Sequence, residues 1–307
     1  MKTPAPRNLA ASVSQRLLER SRRESEDHQY MLMRYGLERL MYRLGRSPYV
    51  DLFVLKGAMM FLVWSGSPYR PTKDLDLLAV KSSSVEHLAQ IFREICLAKV
   101  PDDALNFLPD TVAAEAIRED AAYQGVRVTL EARLGKIKIP LQVDIGFGDV
   151  MTPKPKVVDF PVLLDFPAPH LSMYSRETTI AEKFEAMVHL DMANSRMKDF
   201  YDIWVLSRMF EFDATTLETA IRATFKRRKT QIPVAAPTAL TKAFAGDPAK
   251  VRQWQAFVKR GRFKMLESDW AVVIRAVHGF LTPLIEPVPV GHHKPEYWPK
   301  GGPWRCG

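Results

Sequence analysis

Five consecutive residues, Asp74-Leu75-Asp76-Leu77-Leu78, carry the strongest chemical signal in this sequence. In an extended strand successive side chains point to opposite faces, so Asp74 and Asp76 share one face and Leu75 and Leu77 the other. At about 4 Å two such charges repel by roughly 4 kcal/mol at an effective dielectric near 20, so the pair asks for a cation or a proton between its members. A hard divalent cation, Mg²⁺ or Mn²⁺, suits carboxylate oxygens. Asp144 offers a third acid, on the polar face of a strand whose other face carries Leu141, Val143 and Ile145. Three such acids on two strands would form a metal cup, whereas solvated turn acids are the plainer reading of an isolated Asp-x-Asp.

The residues before the acids sharpen that choice. Phe53-Val54-Leu55 is a short apolar strand ending in Lys56-Gly57, and Ala58 to Trp64 reads as a buried helix. Backbone amides at Gly57 and the start of that helix could cradle a triphosphate, with Lys56, Arg70, Thr72 and Lys73 as further phosphate contacts. The nucleotide would then be a nucleoside triphosphate acting as substrate. Alternatively Gly57 merely opens a helix and Arg70 is a loop cation.

The elements that must position these residues are legible from periodicity. Tyr30, Met33, Leu37, Leu40, Met41 and Leu44 recur at helical spacing, with Arg34, Glu38, Arg39 and Arg43 on the other face, which predicts an amphipathic helix ended by Gly45 and Pro48. A second helix is predicted over about 84–98, opened by a capping box of Ser83 and Glu86. Val126 to Leu134 alternates apolar with polar residues, Gly135-Lys136 is a two-residue turn, and Ile139 to Ile145 alternates again. Prolines at 153, 155, 161, 167 and 169 predict an irregular junction, after which the pattern is helical. The expected organisation is an N-terminal helical segment over 1–50 packing on a core of 51–170, a helical lobe over 171–282, and an extended proline-rich tail over 283–307.

In the helical lobe, Ile180, Phe184, Met187 and Val188 form an apolar stripe with Lys183 at its margin, where a lysine must snorkel or find an anion. Asp199 and Asp202 share one helix edge with Arg196. An ion pair between Lys183 and one of these aspartates competes with any functional role. Lys226-Arg227-Arg228-Lys229 is the strongest basic run and a candidate RNA-backbone site, although a helix C-terminus also favours cations. Tyr297, Trp298 and Trp304 could stack on bases or clamp the tail on its own lobe.

The 307 residues are 47% hydrophobic and 26% charged, which excludes whole-chain disorder, collagen and coiled coil. Their 44 Lys and Arg against 35 Asp and Glu leave +9, favouring a polyanionic partner. Two cysteines make neither a disulfide framework nor a zinc pattern, and no apolar run reaches the roughly 18 to 20 residues of a membrane span. A cytoplasmic protein without a membrane partner is expected.

Leu55-Lys56-Gly57-Ala58 followed by Arg70-Pro71-Thr72-Lys73-Asp74-Leu75-Asp76-Leu77 resembles the opening motifs of the AbiEii/AbiGii toxin nucleotidyltransferases of the polymerase-beta-like superfamily. Ile180 to Ala186 and Arg196 to Ile203 resemble the family's later lysine and aspartate motifs. Ala58 departs from the serine usual in polymerase-beta-like enzymes. The resemblance implies an α+β fold, with a polymerase-beta-like nucleotidyltransferase core (a mixed sheet with flanking helices) followed by a mostly helical C-terminal lobe. It implies Asp74 and Asp76 as metal acids, Lys183 on nucleotide phosphates, and Asp199 or Asp202 as the fourth-motif acid. It further implies a toxin of a toxin–antitoxin or phage-defence pair with a cognate antitoxin, acting on RNA, tRNA foremost. Transfer to a protein hydroxyl and a catalytically inactive nucleotide- or RNA-binding module are the competing readings.

Overall fold

The computed structural model describes residues 8–66, 69–120, 123–261, 263, 265–287 and 293–306. They divide into two compact units: residues 1–68, 72–148 and 156–173 form the first, and residues 69–71, 149–155 and 174–307 the second.

The first unit is built on a seven-stranded mixed sheet. Its strands are β1 (Phe53–Lys56), β2 (Asp74–Ala79), β3 (Leu105–Asp120), β4 (Tyr123–Leu134), β5 (Ile137–Phe147), β6 (Lys156–Asp159) and β7 (His170–Met173), in the order β3-β4-β5-β2-β1-β7-β6. β2 is central, parallel to β5 and antiparallel to β1. The hairpin of β4 and β5 closes through Gly135-Lys136, with Leu134 opposite Ile137. Leu75, Leu77, Val143 and Ile145 are buried on one face of the central pair, while Asp74, Asp76 and Asp144 are only half-buried on the other.

Four helices accompany this sheet: α1 (Leu9–Glu24), α2 (His28–Gly45), α3 (Met60–Ser65) and α4 (Val85–Cys96). α4 is capped by Ser84, whose hydroxyl accepts from the His87 amide at 3.2 Å, so the cap lies one residue beyond the expected Ser83. The polar stretch before β4 is itself the long strand β3, and the proline-rich junction still accommodates β6.

The largest departure from expectation is α2. Arg34, Glu38, Arg39 and Arg43 do not face solvent; all four are buried. Arg43 grips both oxygens of buried Asp103 at 2.7 and 3.0 Å, Arg34 pairs with Glu26 at 2.8 Å, and Arg39 donates to the Pro167 carbonyl at 2.7 Å. Helical periodicity separates two faces but does not say that the polar one is wet. Here Glu26 before the helix, and Asp103 and Pro167 after it, supply its partners.

The second unit is mostly helical: α5 (Arg176–Leu190), α6 (Met197–Met209), α7 (Ala214–Arg228), α8 (Lys242–Gly246), α9 (Pro248–Arg260) and α10 (Trp270–Leu281). The expected extended tail instead forms β9 (Pro295–Trp298) and β10 (Arg305–Cys306), which join β8 (Phe212–Asp213) in a small sheet; residues 288–292 of the tail lie outside the described residues. Trp298 donates to the Ser207 carbonyl at 2.7 Å and Trp304 stacks on Phe280, so the tail aromatics clamp their own unit.

Glu38 generates a prediction. Burial pushes its carboxyl up to about 7, against the lowering effects of Arg39 and the Leu163 amide, which donates to it at 2.7 Å. The folded state therefore holds this proton more tightly than the unfolded state, whose value is near 4.5. Its contribution is fully present below that lower value and is lost as pH rises towards 7. Relative to Glu38→Gln, the parent chain should lose about 3 kcal/mol of stability between pH 4.5 and 7, at 1.36 kcal/mol per unit, as measured by urea unfolding at a series of pH values.

Candidate active site

Sheet register assembles the site in the first unit. Lys56 on β1 lies opposite Asp76 on β2, Asp76 opposite Asp144 on β5, and Asp144 opposite Arg127 on β4. Directly opposed residues share a face, so Arg127, Asp144, Asp76 and Lys56 form one row across four strands. Asp74 lies two residues from Asp76 on the same face, beside Gln142. Two acids are thus flanked by two cations, and the protein itself offsets part of the repulsion that the sequence alone leaves open.

Within the row, the Arg127 guanidinium donates to both Asp144 oxygens at 2.8 Å, and Gln142 adds contacts at 3.2 and 3.3 Å. Asp144 is thus paired with Arg127 on the sheet face that also carries the acid pair. Among the described residues no three His, Cys, Asp or Glu side chains converge as a metal-binding group. Asp74 and Asp76 still offer a carboxylate donor set that fits a hard divalent cation.

Gly57 ties the first motif to the second. It follows β1 with φ +79°, and a Cβ added there would lie 1.9 Å from an Asp76 carboxylate oxygen. A side chain at this turn would be strained by the backbone and would collide with the acid. The helix that follows, α3, has only six residues. Thr72 donates its amide to the Tyr30 hydroxyl at 3.4 Å, and Lys73 is exposed.

The second unit brings Lys183, Asp199 and Asp202 together. Lys183 Nζ lies 2.7 Å from Asp199 Oδ1 and 2.9 Å from Asp202 Oδ2. Arg196 holds the other Asp199 oxygen at 2.6 Å, and Arg70 donates to both Asp202 oxygens at 2.7 and 2.9 Å. The result is a chain of alternating charge: Arg196, Asp199, Lys183, Asp202, Arg70. Burial works against each charge, yet the facing cations hold both carboxyls below their usual range and the two carboxylates hold Lys183 above the usual lysine value.

These contacts show what holds two of the residues expected to bind phosphate. Arg70 is engaged bidentately by Asp202, and Lys183 sits between two carboxylates in the ion pair that competed with its phosphate role. The basic run is also reduced, because Arg228 is turned inward onto Asp149 at 3.0 Å and Glu185 at 2.8 Å. Lys226, Arg227 and Lys229 remain exposed.

A family model described as the nucleotidyl transferase AbiEii toxin of a type IV toxin–antitoxin system matches residues 39–275. The chain belongs to this family. AbiEii proteins are polymerase-beta-like nucleotidyltransferases, and membership implies an antitoxin partner. Among solved structures the chain is similar to JHP933 from Helicobacter pylori and to a second crystal structure from that organism. Each is 15% identical with a TM-score of 0.48, over 82% of this chain and 93% and 96% of those chains. No curated protein matches. Among the described residues no helix is long and apolar enough to cross a membrane.

Arg127 was missed by sequence reasoning although the signal was present. Counting back from the two-residue turn, with Leu134 opposite Ile137, sets Arg127 opposite Asp144.

Two substitutions, one in each unit, probe these clusters of the AbiEii-family chain. Gly57→Ala should cost more than about 1 kcal/mol in stability and displace Asp76, seen as a lowered melting temperature. Lys183→Met should cost about 3–5 kcal/mol, because it strips a buried cation from two buried carboxylates. A Lys183→Met chain with the parent's urea midpoint would show that the ion network is not structural.

Proposed function

We propose that this chain transfers a nucleoside monophosphate from a nucleoside triphosphate to the 3′ end of an RNA, tRNA foremost, with release of pyrophosphate. The observation that carries the reading is the contact between the glycine turn and the acid pair: Gly57 packs against Asp76, and Lys56 stands opposite it. A triphosphate resting on that turn meets a cation and two carboxylates on one sheet face.

In this reaction the RNA hydroxyl oxygen attacks the α-phosphorus, a new phosphorus–oxygen bond forms, and the bond to the β-phosphate breaks. Pyrophosphate leaves with the electron pair. The hydroxyl proton passes to a carboxylate of the row, and Asp144 can take it by exchanging one of its Arg127 contacts. Lys56, Thr72, Lys73 and the amides of the Gly57 turn hold and orient the phosphates. Asp74 and Asp76 would hold Mg²⁺ or Mn²⁺, which neutralises phosphate oxygens when bound. Arg70 and Lys183 fix α6 through Asp199 and Asp202.

The test is incubation of the purified chain and its Asp76→Ala variant with total tRNA, Mg²⁺ and each α-labelled nucleoside triphosphate in turn. Label on tRNA should fall at least about 100-fold in the variant, with an unchanged melting temperature. Label on protein would favour a protein-hydroxyl acceptor, and nucleotide binding without any label would favour an inactive module.

A further inference from the structure

The second unit contains a cavity of about 640 Å³, within the range of roughly 300–1,000 Å³ typical of ligand pockets. Among the described residues its charged lining is Arg70, Arg196, Lys198 and Arg260, without one Asp or Glu, and its rings are Phe257 and Phe263.

Of these cations Arg70 is engaged by Asp202 and Arg196 by Asp199. Lys198 and Arg260 are exposed and form no ion pair among the described residues. Such a surface concentrates anions.

The rings are held in place. Phe263 lies 4.8 Å from Phe257 and 4.7 Å from Tyr201, ring centre to ring centre. The Tyr201 hydroxyl lies 2.9 and 2.8 Å from the carbonyls of Tyr69 and Met265, which ties Met265 to α6. Gly261 permits this packing, since a Cβ there would lie 2.0 Å from the Phe263 ring.

Cations beside fixed aromatic faces are the means by which single-stranded nucleic acids are bound, with bases stacked and phosphates paired. A free nucleoside triphosphate is a poorer fit. It arrives with a divalent cation that protein sites hold through one or two carboxylates, and the described lining offers none. We infer that this cavity is the subsite for the unpaired end of the acceptor RNA, with bases against Phe257 and Phe263 and phosphodiesters on Lys198 and Arg260. The inference rests on the transfer reading above for the identity of the acceptor, and on the cavity itself for the chemistry.

The test measures binding of a short 5′-fluorescein single-stranded RNA to the full chain by anisotropy over a salt series, without nucleoside triphosphate. Lys198→Glu/Arg260→Glu should weaken binding at least about tenfold and flatten the slope of log affinity against log salt by roughly 0.7 for each phosphate that the variant no longer neutralises. Lys198→Gln/Arg260→Gln should give an intermediate loss, and both side chains are exposed, so melting temperatures should stay with the parent. Unchanged RNA affinity and slope in the charge-reversed chain overturn the inference. So does a loss confined to nucleoside triphosphate binding, which would make the cavity a free-nucleotide site. If the parent labels no RNA but the substitutions abolish RNA binding, the subsite stands and the transfer reading falls. If parent and variant bind and label RNA equally, the reverse holds.

Discussion

The register of β2 between β1 and β5 is the constraint on which the site depends. A strand has a side-chain period of two, so a slip of one residue would drive Asp74 and Asp76 into the core and expose Leu75 and Leu77. Bonded on both sides, β2 cannot slip without breaking two ladders at once. The same register fixes Lys56, Asp144 and Arg127 in line with Asp76. The charged row is therefore a consequence of apolar packing on the far face of the sheet, where Leu75, Leu77, Val143 and Ile145 are almost fully excluded from water. Core and chemistry are two sides of one strand pairing.

Both units bury charge, and in both the charge is met in kind. In the first, Arg43 takes both oxygens of Asp103 beneath the Phe107 ring. In the second, five charges alternate along one chain. Hydrophobic residues of similar volume could stabilise such positions as well or better, so stability alone is a weak reason for these networks. What an alternating network adds is directional: each bidentate or paired contact admits one arrangement of its helices. Asp199 and Asp202, one turn apart on α6, can satisfy Lys183 together only at a single rotation and offset of α5.

Much of this was legible in the sequence because it rests on local pattern. Alternation marked β2, β4 and β5, the Gly135-Lys136 turn set the hairpin, and Asp74 and Asp76 stood out by type and spacing. What stayed hidden depends on segments distant in the chain. Glu38 reads as a solvent-facing helix residue until Leu163 arrives to donate to it. Arg228 reads as one of four surface cations until Asp149 and Glu185 claim it. Long β3 was obscured because its ladder shifts register between Leu108 and Ala113, which interrupts the alternation. Phe263 carries no motif at all, and Lys198 lies inside the Arg196 to Ile203 motif without a signal of its own; only the fold brings them to one cavity.

The charge surplus gains meaning from the same burial. An internal ion pair removes one cation and one anion from the surface, so it leaves the net charge of +9 untouched. The surplus must therefore reside largely on exposed side chains, among them Lys198, Lys226, Arg227, Lys229 and Arg260. A surface of that sign attracts a polyanion from a distance and orients it before contact, with a force that salt screens beyond about 10 Å. Long-range attraction does not choose between partners. That choice falls to short-range features, and the cavity of Phe257 and Phe263 supplies ring faces that a phosphate surface or an acidic protein would leave unused.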